Sequence, residues 1–189
     1  MANTSRKGAT VVGTISGSPL NSNLRPRNVD SSNGTAIFPG DFVILEDDGN
    51  IAPYTGSSGG NLLGVAVAVV VNRSVAATEH PGYLPASTAG VVLVAEGSDY
   101  LFEVQEDDGG TALTTAAIGS NADVLAGSGS TTLGTSAHEL DRSSITDASP
   151  GSAQLRIVDF VARTDNAAGD YAKWVVRLNE NVYTETTGL

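Results

Sequence analysis

The sequence contains no cysteine and only two histidines among its 189 residues. Without cysteine the chain cannot form disulfides or cysteine-ligated zinc and iron–sulfur sites. The two histidines, His80 and His138, lie far apart in the sequence, so they offer little from which to build a metal centre. We therefore expect no metal site and no cofactor.

Long hydrophobic runs are also missing. The longest apolar segment is Leu62 to Val71, which is half the ~20 residues that a membrane-spanning helix needs. The first residues carry positive charge but lack the apolar segment of a secretory signal. These features predict synthesis in a bacterial-type cytoplasm and no membrane partner.

Basic residues are scarce and unevenly placed. The chain has 10 Lys and Arg against 21 Asp and Glu, a net charge of −11, which argues against a nucleic-acid partner. Residues 1–29 nevertheless contain four basic residues and no acidic residue: Arg6, Lys7, Arg25 and Arg27. The N-terminal segment therefore differs in charge from the acidic remainder of the chain.

Aromatic residues are few, whereas valine is abundant and glycine occurs 22 times. This composition favours short β-strands joined by many turns. We predict an all-β fold, an antiparallel β-sandwich or jelly-roll-like barrel, with at most one short helix near Thr111–Ile118. Residues 1–34 are predicted as an extended basic N-terminal arm and residues 35–189 as a β-rich body.

Local patterns predict several features of the body. Asp48-Gly49 is typical of a hairpin turn, and Glu96–Asp99 is a second hairpin candidate between Val91–Ala95 and Leu101–Gln105. The near-continuous apolar run from Leu62 predicts a strand buried on both faces. The acidic segment Glu106–Asp108 is interpreted as a turn exposed to solvent, because it lacks the spacing of a calcium-binding loop.

Two patterns could suggest a hydrolase. Gly56–Gly60 formally matches G-x-S-x-G, but a turn precedes it and a strand follows, whereas a nucleophile elbow joins a strand to a helix. Ser136 and His138 are two residues apart and would share one face of a strand, which a polar, solvent-facing strand edge also explains. We predict no catalytic residue and therefore no enzyme.

The N-terminal arm is the main candidate for a binding segment. It is poor in large apolar residues, so the composition alone predicts either a frayed terminus or a segment ordered by a partner. In the second case four cations would guide binding and four apolar residues would anchor it. These candidates are Arg6, Lys7, Val11, Val12, Ile15, Leu20, Arg25 and Arg27.

Two stretches resemble small virion proteins of tailed bacteriophages. Thr35–Val43 reads TAIFPGDFV and is followed by LLGVAVAV, similar to an opening of the form TAL-x-x-GD-x-V before ILGV. Gln154–Tyr183 contains LRI, then DNAAG, then a segment ending in Tyr, similar to the closing pattern of the same proteins. The family that these patterns indicate is the head decoration, or cement, proteins.

This resemblance implies a function and a set of partners. Such proteins are β-rich, often trimeric, and bind the outer surface of the assembled capsid, where they clamp neighbouring subunits of the major capsid protein. The implied partners are therefore the major capsid protein and further copies of the chain, with Trp174 and Tyr183 as candidate oligomer contacts. The alternative is a tail-fibre or adhesin-type module that binds a cell-surface glycan.

Overall fold

A computed structural model describes residues 6–20, 23–56, 61–72, 81–146 and 153–184. These residues form eleven β-strands and one short 3-10 helix at Thr115–Ala117. The strands are β1 Thr10–Thr14, β2 Arg25–Val29, β3 Phe42–Leu45, β4 Ile51–Pro53, β5 Leu62–Asn72, β6 Gly90–Glu96, β7 Tyr100–Gln105, β8 Asn121–Leu125, β9 Glu139–Thr146, β10 Leu155–Phe160 and β11 Lys173–Leu178.

The strands form two antiparallel sheets. The six-stranded sheet has the order β1-β7-β11-β10-β8-β9, and the five-stranded sheet has the order β2-β6-β5-β3-β4. The 3-10 helix lies inside the predicted Thr111–Ile118 segment. The prediction of an all-β antiparallel sandwich with at most one short helix is therefore confirmed.

The main core contains residues of both sheets, among them Phe42, Phe102, Leu155 and Trp174. A second cluster involves the five-stranded sheet with Ile37 and Leu84, which pair through a backbone bridge outside the strands. This covering explains why Leu62 and Leu63, adjacent residues on opposite faces of β5, are both fully buried. The prediction for the apolar run holds for its first half only, because Val70 is 51% exposed.

One predicted hairpin is confirmed and the other is wrong. Asp48-Gly49 lies in the turn between β3 and β4, which pair directly, and Gly49 has a positive φ of 83°. The segment Glu96–Asp99, by contrast, joins β6 of the five-stranded sheet to β7 of the six-stranded sheet. The chain crosses between the sheets here because both strands already have partners on other elements.

Candidate functional site

The N-terminal segment, defined here as described residues 6–20 and 23–29, contributes one outer strand to each sheet. Thr10 of β1 pairs with Glu103 of β7, and Arg25 of β2 pairs with Val94 of β6. The segment is extended, but it lies on the body of its own chain and is not separate from it. Strand pairing satisfies the backbone polar groups on the inner side of each strand, so a segment with few apolar residues still finds a defined position.

Three of the four cations of this segment contact acidic residues of the same chain. Arg6 Nε lies 3.1 Å from Oε2 of Glu139, a carboxylate that is almost fully buried. Arg27 donates to both carboxylate oxygens of Glu96, and Arg25 Nε lies 3.9 Å from the same side chain. These contacts hold the basic segment on the acidic body.

The apolar candidates divide into one that packs inward and three that face solvent. Val11 packs against the main core, whereas Val12, Ile15 and Leu20 are 43%, 55% and 37% exposed. Leu20 also lines a groove of about 260 Å³ together with Val11, Leu24, Val65 and Val67. The N-terminal segment thus presents exposed apolar side chains beside a shallow apolar groove, and Lys7 lies at the groove as an exposed cation.

The two aromatic contact candidates have different environments. Trp174 is fully buried: its ring packs edge-on against Phe160 and its Nε1 donates to Glu106 at 3.0 Å. The strand of Trp174 places its side chain in the core, so in the folded single chain it has no exposed surface with which to contact another copy. Tyr183 is 53% exposed, and its hydroxyl bonds with Arg27 and Glu96.

Ser136 and His138 lie in a buried polar cluster, and the expectation of a solvent-facing edge is wrong. Nδ1 of His138 accepts the backbone N–H of Phe42 at 3.1 Å, so the ring proton of the neutral imidazole is on Nε2. Nε2 faces Oδ1 of Asp41 at 3.6 Å. Ser136 Oγ accepts the backbone N–H of His138, so this contact is not the hydroxyl-to-imidazole bond of a Ser-His-Asp triad.

Burial dominates the electrostatics of this cluster. Loss of water raises the pKa of Asp41 to about 6 and lowers the pKa of His138 to about 4. At pH 7 His138 is therefore neutral and Asp41 is mostly ionised. The residues 57–60 of the G-x-S-x-G match lie outside the described part of the chain.

A second buried polar cluster surrounds Arg142. Its guanidinium donates to the backbone carbonyls of Gly109 and Gly110 and to Asp170, and it lies 3.5 Å from Glu106. Glu106 is fully buried and Asp107 nearly so, which corrects the prediction of a solvent-exposed acidic turn. Burial raises the pKa of Glu106 to about 7, even though Trp174 donates to its carboxylate.

Glu139 lies beside this cluster on β9, under Arg6. Burial raises the pKa of Glu139 to about 7, and Arg6 acts in the opposite direction. No described residue donates a hydrogen bond to its second oxygen, Oε1. Sequence reasoning missed the Arg142 cluster because Arg142 and its acidic neighbours come from separate segments that only the fold brings together.

An open cleft of about 370 Å³ lies beside Asp41 and His138. Its walls come from residues 34–38, 53–55 and 126–131. Among the described residues that line this cleft, Asp41 is the single group charged at pH 7. No signal in the sequence pointed to it, since its walls come from three loops far apart in the chain.

The described residues contain no group of three or more His, Asp or Glu side chains arranged to hold a metal ion. Among them, no helix has the length and apolar character needed to cross a membrane. The described residues thus form a two-sheet, all-β fold with exposed apolar side chains at one sheet edge and an acidic cleft beside Asp41. The comparisons with known proteins find no match to this chain, whether with family models, curated proteins or solved structures.

Proposed function

We propose that the chain is a decoration protein of a tailed-bacteriophage capsid. It would bind the outer surface of the assembled head as a homotrimer and bridge neighbouring copies of the major capsid protein. The resemblance of Thr35–Val43 and Gln154–Tyr183 to virion proteins supports this assignment. The N-terminal segment supplies the physical observation that carries it.

That observation is the exposure of three apolar side chains on a segment that backbone pairing fixes to the body. Val12, Ile15 and Leu20 are the exposed apolar residues of the segment and lie within nine positions of one another in the sequence. Contiguous exposed apolar surface marks interaction sites, and here Leu20 lines the apolar groove beside β1. Because β1 is an edge strand, it also presents backbone groups with which a partner can pair.

The proposed mechanism is stabilisation by preferential binding. A protein that binds the assembled shell, and does not bind separated subunits, shifts the equilibrium towards the shell. Three copies joined in a trimer bind with an avidity that exceeds the affinity of one copy. Because exposed ion pairs contribute only about 0–1 kcal/mol each, Lys7 and Arg25 would affect the encounter more than the final affinity.

Substitution of the exposed apolar residues tests the proposal. The triple variant Val12→Ser, Ile15→Ser, Leu20→Ser should bind undecorated capsids at least about tenfold more weakly, equivalent to ~1.4 kcal/mol. The fold should persist, because all three side chains are exposed in the free chain. Binding is measured by co-sedimentation with capsids, and head stability by the temperature at which the shells release DNA.

The matched control replaces three exposed apolar residues elsewhere: Val70→Ser, Leu125→Ser and Leu133→Ser. This variant should bind as tightly as the unmodified chain. Equal binding by both triple variants would contradict the assignment of the interface. An unmodified chain that binds no capsid, or that sediments only as a monomer at micromolar concentration, would contradict the proposed function.

A further inference from the structure

The cleft beside Asp41 has mixed walls and a charged base. Ala36, Pro53 and Ala126 contribute apolar surface, whereas Thr55, Ser128 and Thr131 are polar and lie on its exposed rim. Its volume of about 370 Å³ is within the range of small-ligand sites, roughly 300–1,000 Å³. The cleft is therefore large enough to enclose a small group or a side chain.

Asp41 is 2% exposed, and only one of its oxygens has a hydrogen-bond donor among the described residues. Oδ2 accepts the backbone N–H of Phe38 at 2.8 Å, and the Ser136 hydroxyl also hydrogen-bonds to the Asp41 carboxylate. Oδ1 accepts no hydrogen bond from any described residue, and Nε2 of His138 lies 3.6 Å away, beyond hydrogen-bond distance. Because a buried acceptor without a donor costs about 1–3 kcal/mol, or more when charged, this oxygen favours a ligand that supplies a donor.

The negative charge of the cleft favours a cationic hydrogen-bond donor over a neutral one. Asp41 is ionised at neutral pH and His138 is neutral, so no described lining residue offsets the negative charge. A cationic donor satisfies both the unpaired oxygen and the uncompensated charge. The apolar walls match the aliphatic stem that carries the cation in a lysine or arginine side chain.

A neutral sugar is a poorer match to these walls. Sugar sites commonly use an exposed aromatic ring, and the two aromatic residues that line the cleft, Phe38 and Tyr54, are buried. Gly129 packs directly on the Phe38 ring, since a Cβ there would lie 2.3 Å from it. The Phe38 ring also stacks on Tyr83, with 4.8 Å between the ring centroids, so it offers no open face to a sugar.

We propose that this cleft binds a lysine or arginine side chain supplied by the capsid protein, with the cationic group bonded to Oδ1 of Asp41. The identity of the partner rests on the function proposed above, whereas the preference for an organic cation rests on the cleft alone. The two parts are therefore tested separately.

The first test uses small probes and no capsid. Butylammonium or methylguanidinium should bind saturably and lower the titration midpoint of Asp41 by about 1–3 pH units, as a neighbouring opposite charge does. The midpoint is followed by NMR of the Asp41 carboxyl carbon. Butanol, methyl glucoside and sodium chloride at equal ionic strength are the controls, and none of them should shift the midpoint to this extent.

Two variants isolate the site. Asp41→Asn retains a side-chain oxygen for the Phe38 N–H but has no charge, so its butylammonium binding, followed through His138, should fall at least about tenfold. Thr131→Arg, at the exposed rim, leaves the hydrogen bonds of Asp41 intact and places a tethered cation at the cleft. It should lower the Asp41 midpoint without any probe and block binding of butylammonium.

An Asp41 midpoint that does not respond to either cation, or that responds equally to methyl glucoside, overturns the cation site. The second test is capsid binding, in which Asp41→Asn should bind at least about tenfold more weakly than the unmodified chain. Normal decoration by this variant overturns the capsid as the source of the cation. If the unmodified chain binds no capsid, the proposed function and this source fail together, while the probe experiment still measures the cation site.

Discussion

Gly8 lies where the N-terminal segment meets the body, with a φ of 68° and no space for a side chain. A Cβ at this position would lie 2.4 Å from both the carbonyl oxygen of Gly40 and the side chain of Ser136. Next to it, the backbone N–H of Ala9 donates to the same carbonyl of Gly40 at 2.9 Å. A single glycine thus permits the contact that seats the segment on the Ser136 cluster.

Replacing Gly8 by alanine is expected to lower the free energy of unfolding by about 2–5 kcal/mol. The left-handed backbone contributes ~1–2 kcal/mol and the steric overlap ~1–3 kcal/mol to this loss. Urea denaturation followed by Trp174 fluorescence measures it. Gly17→Ala is the matched control, because Gly17 has a similar φ of 74° but no atom within 4 Å of its Cβ position, so only the backbone cost of ~1–2 kcal/mol applies. Equal losses in the two variants would show that the close packing at Gly8 adds nothing.

At the scale of elements, the N-terminal segment provides the outer strands β1 and β2, so its removal would affect both sheets. The sequence predicts residues 1–34 as an arm that is separate from the β-rich body of residues 35–189. In the structure, β1 covers the edge of β7, and β2 covers the edge of β6. Loss of both strands would expose backbone edges that promote association between chains.

Deletion of residues 1–14, which removes β1 alone, should lower the midpoint of thermal unfolding and produce concentration-dependent aggregation. The reason is that β7 becomes an unprotected edge with apolar neighbours such as Phe102 and Val104. Thermal denaturation with light scattering, at several protein concentrations, measures both effects. The charge-reversal variant Arg6→Glu, Lys7→Glu keeps β1 and should aggregate much less than the truncated chain. A truncated chain as stable and soluble as the full one would mean that β1 contributes little to the fold.

At the scale of the whole molecule, buried carboxyl groups outnumber buried cations among the residues that the structure describes. Burial raises the pKa values of Asp41, Glu106 and Glu139 to about 6, 7 and 7. The folded chain therefore holds protons that the unfolded chain has released, and the stability that these groups contribute below about pH 4 is lost as pH rises through 6–7. His138 acts in the opposite direction, because its pKa is lowered to about 4.

Above pH 4.5 the extra protons that the three carboxyl groups bind in the folded chain exceed the one proton that His138 binds only in the unfolded chain. The free energy of unfolding should therefore decrease from pH 5 to pH 7.5. Glu139→Gln removes one of the three carboxyl groups. Because one proton fewer is then taken up by the folded chain, the slope of the free energy of unfolding against pH should become shallower by up to ~1.4 kcal/mol per pH unit. Urea denaturation at successive pH values measures the slope. Asp159→Asn, at an exposed carboxylate, is the control and should leave the slope unchanged. Stability that rises with pH across this range would contradict the prediction.

The sequence was informative about features that depend on neighbouring residues. Asp48-Gly49 requires a tight turn whatever surrounds it, so the β3–β4 hairpin was predictable. Glu96–Asp99 carries a similar turn signal, but which strand each flanking segment pairs with depends on distant partners, and that prediction failed. The burial of Glu106 could not be predicted for the same reason, because the residues that bond with it, Arg142 and Trp174, lie far along the chain. The cleft at Asp41 was likewise unpredictable, because three separate loops form it.

The position of β1 and β2 also has a consequence for the order of events during synthesis. Thr10 pairs with Glu103 and Arg25 pairs with Val94. Strands β1 and β2 are therefore synthesised well before β7 and β6, the strands with which they pair. At about 5–20 residues per second, this interval lasts roughly 5–20 s. During that time the TVVGT segment is a nascent chain with β-forming residues and no sheet to join. Arg6 and Lys7 lie two residues before this segment, and like charges at such a position disfavour association of the same segment between neighbouring nascent chains.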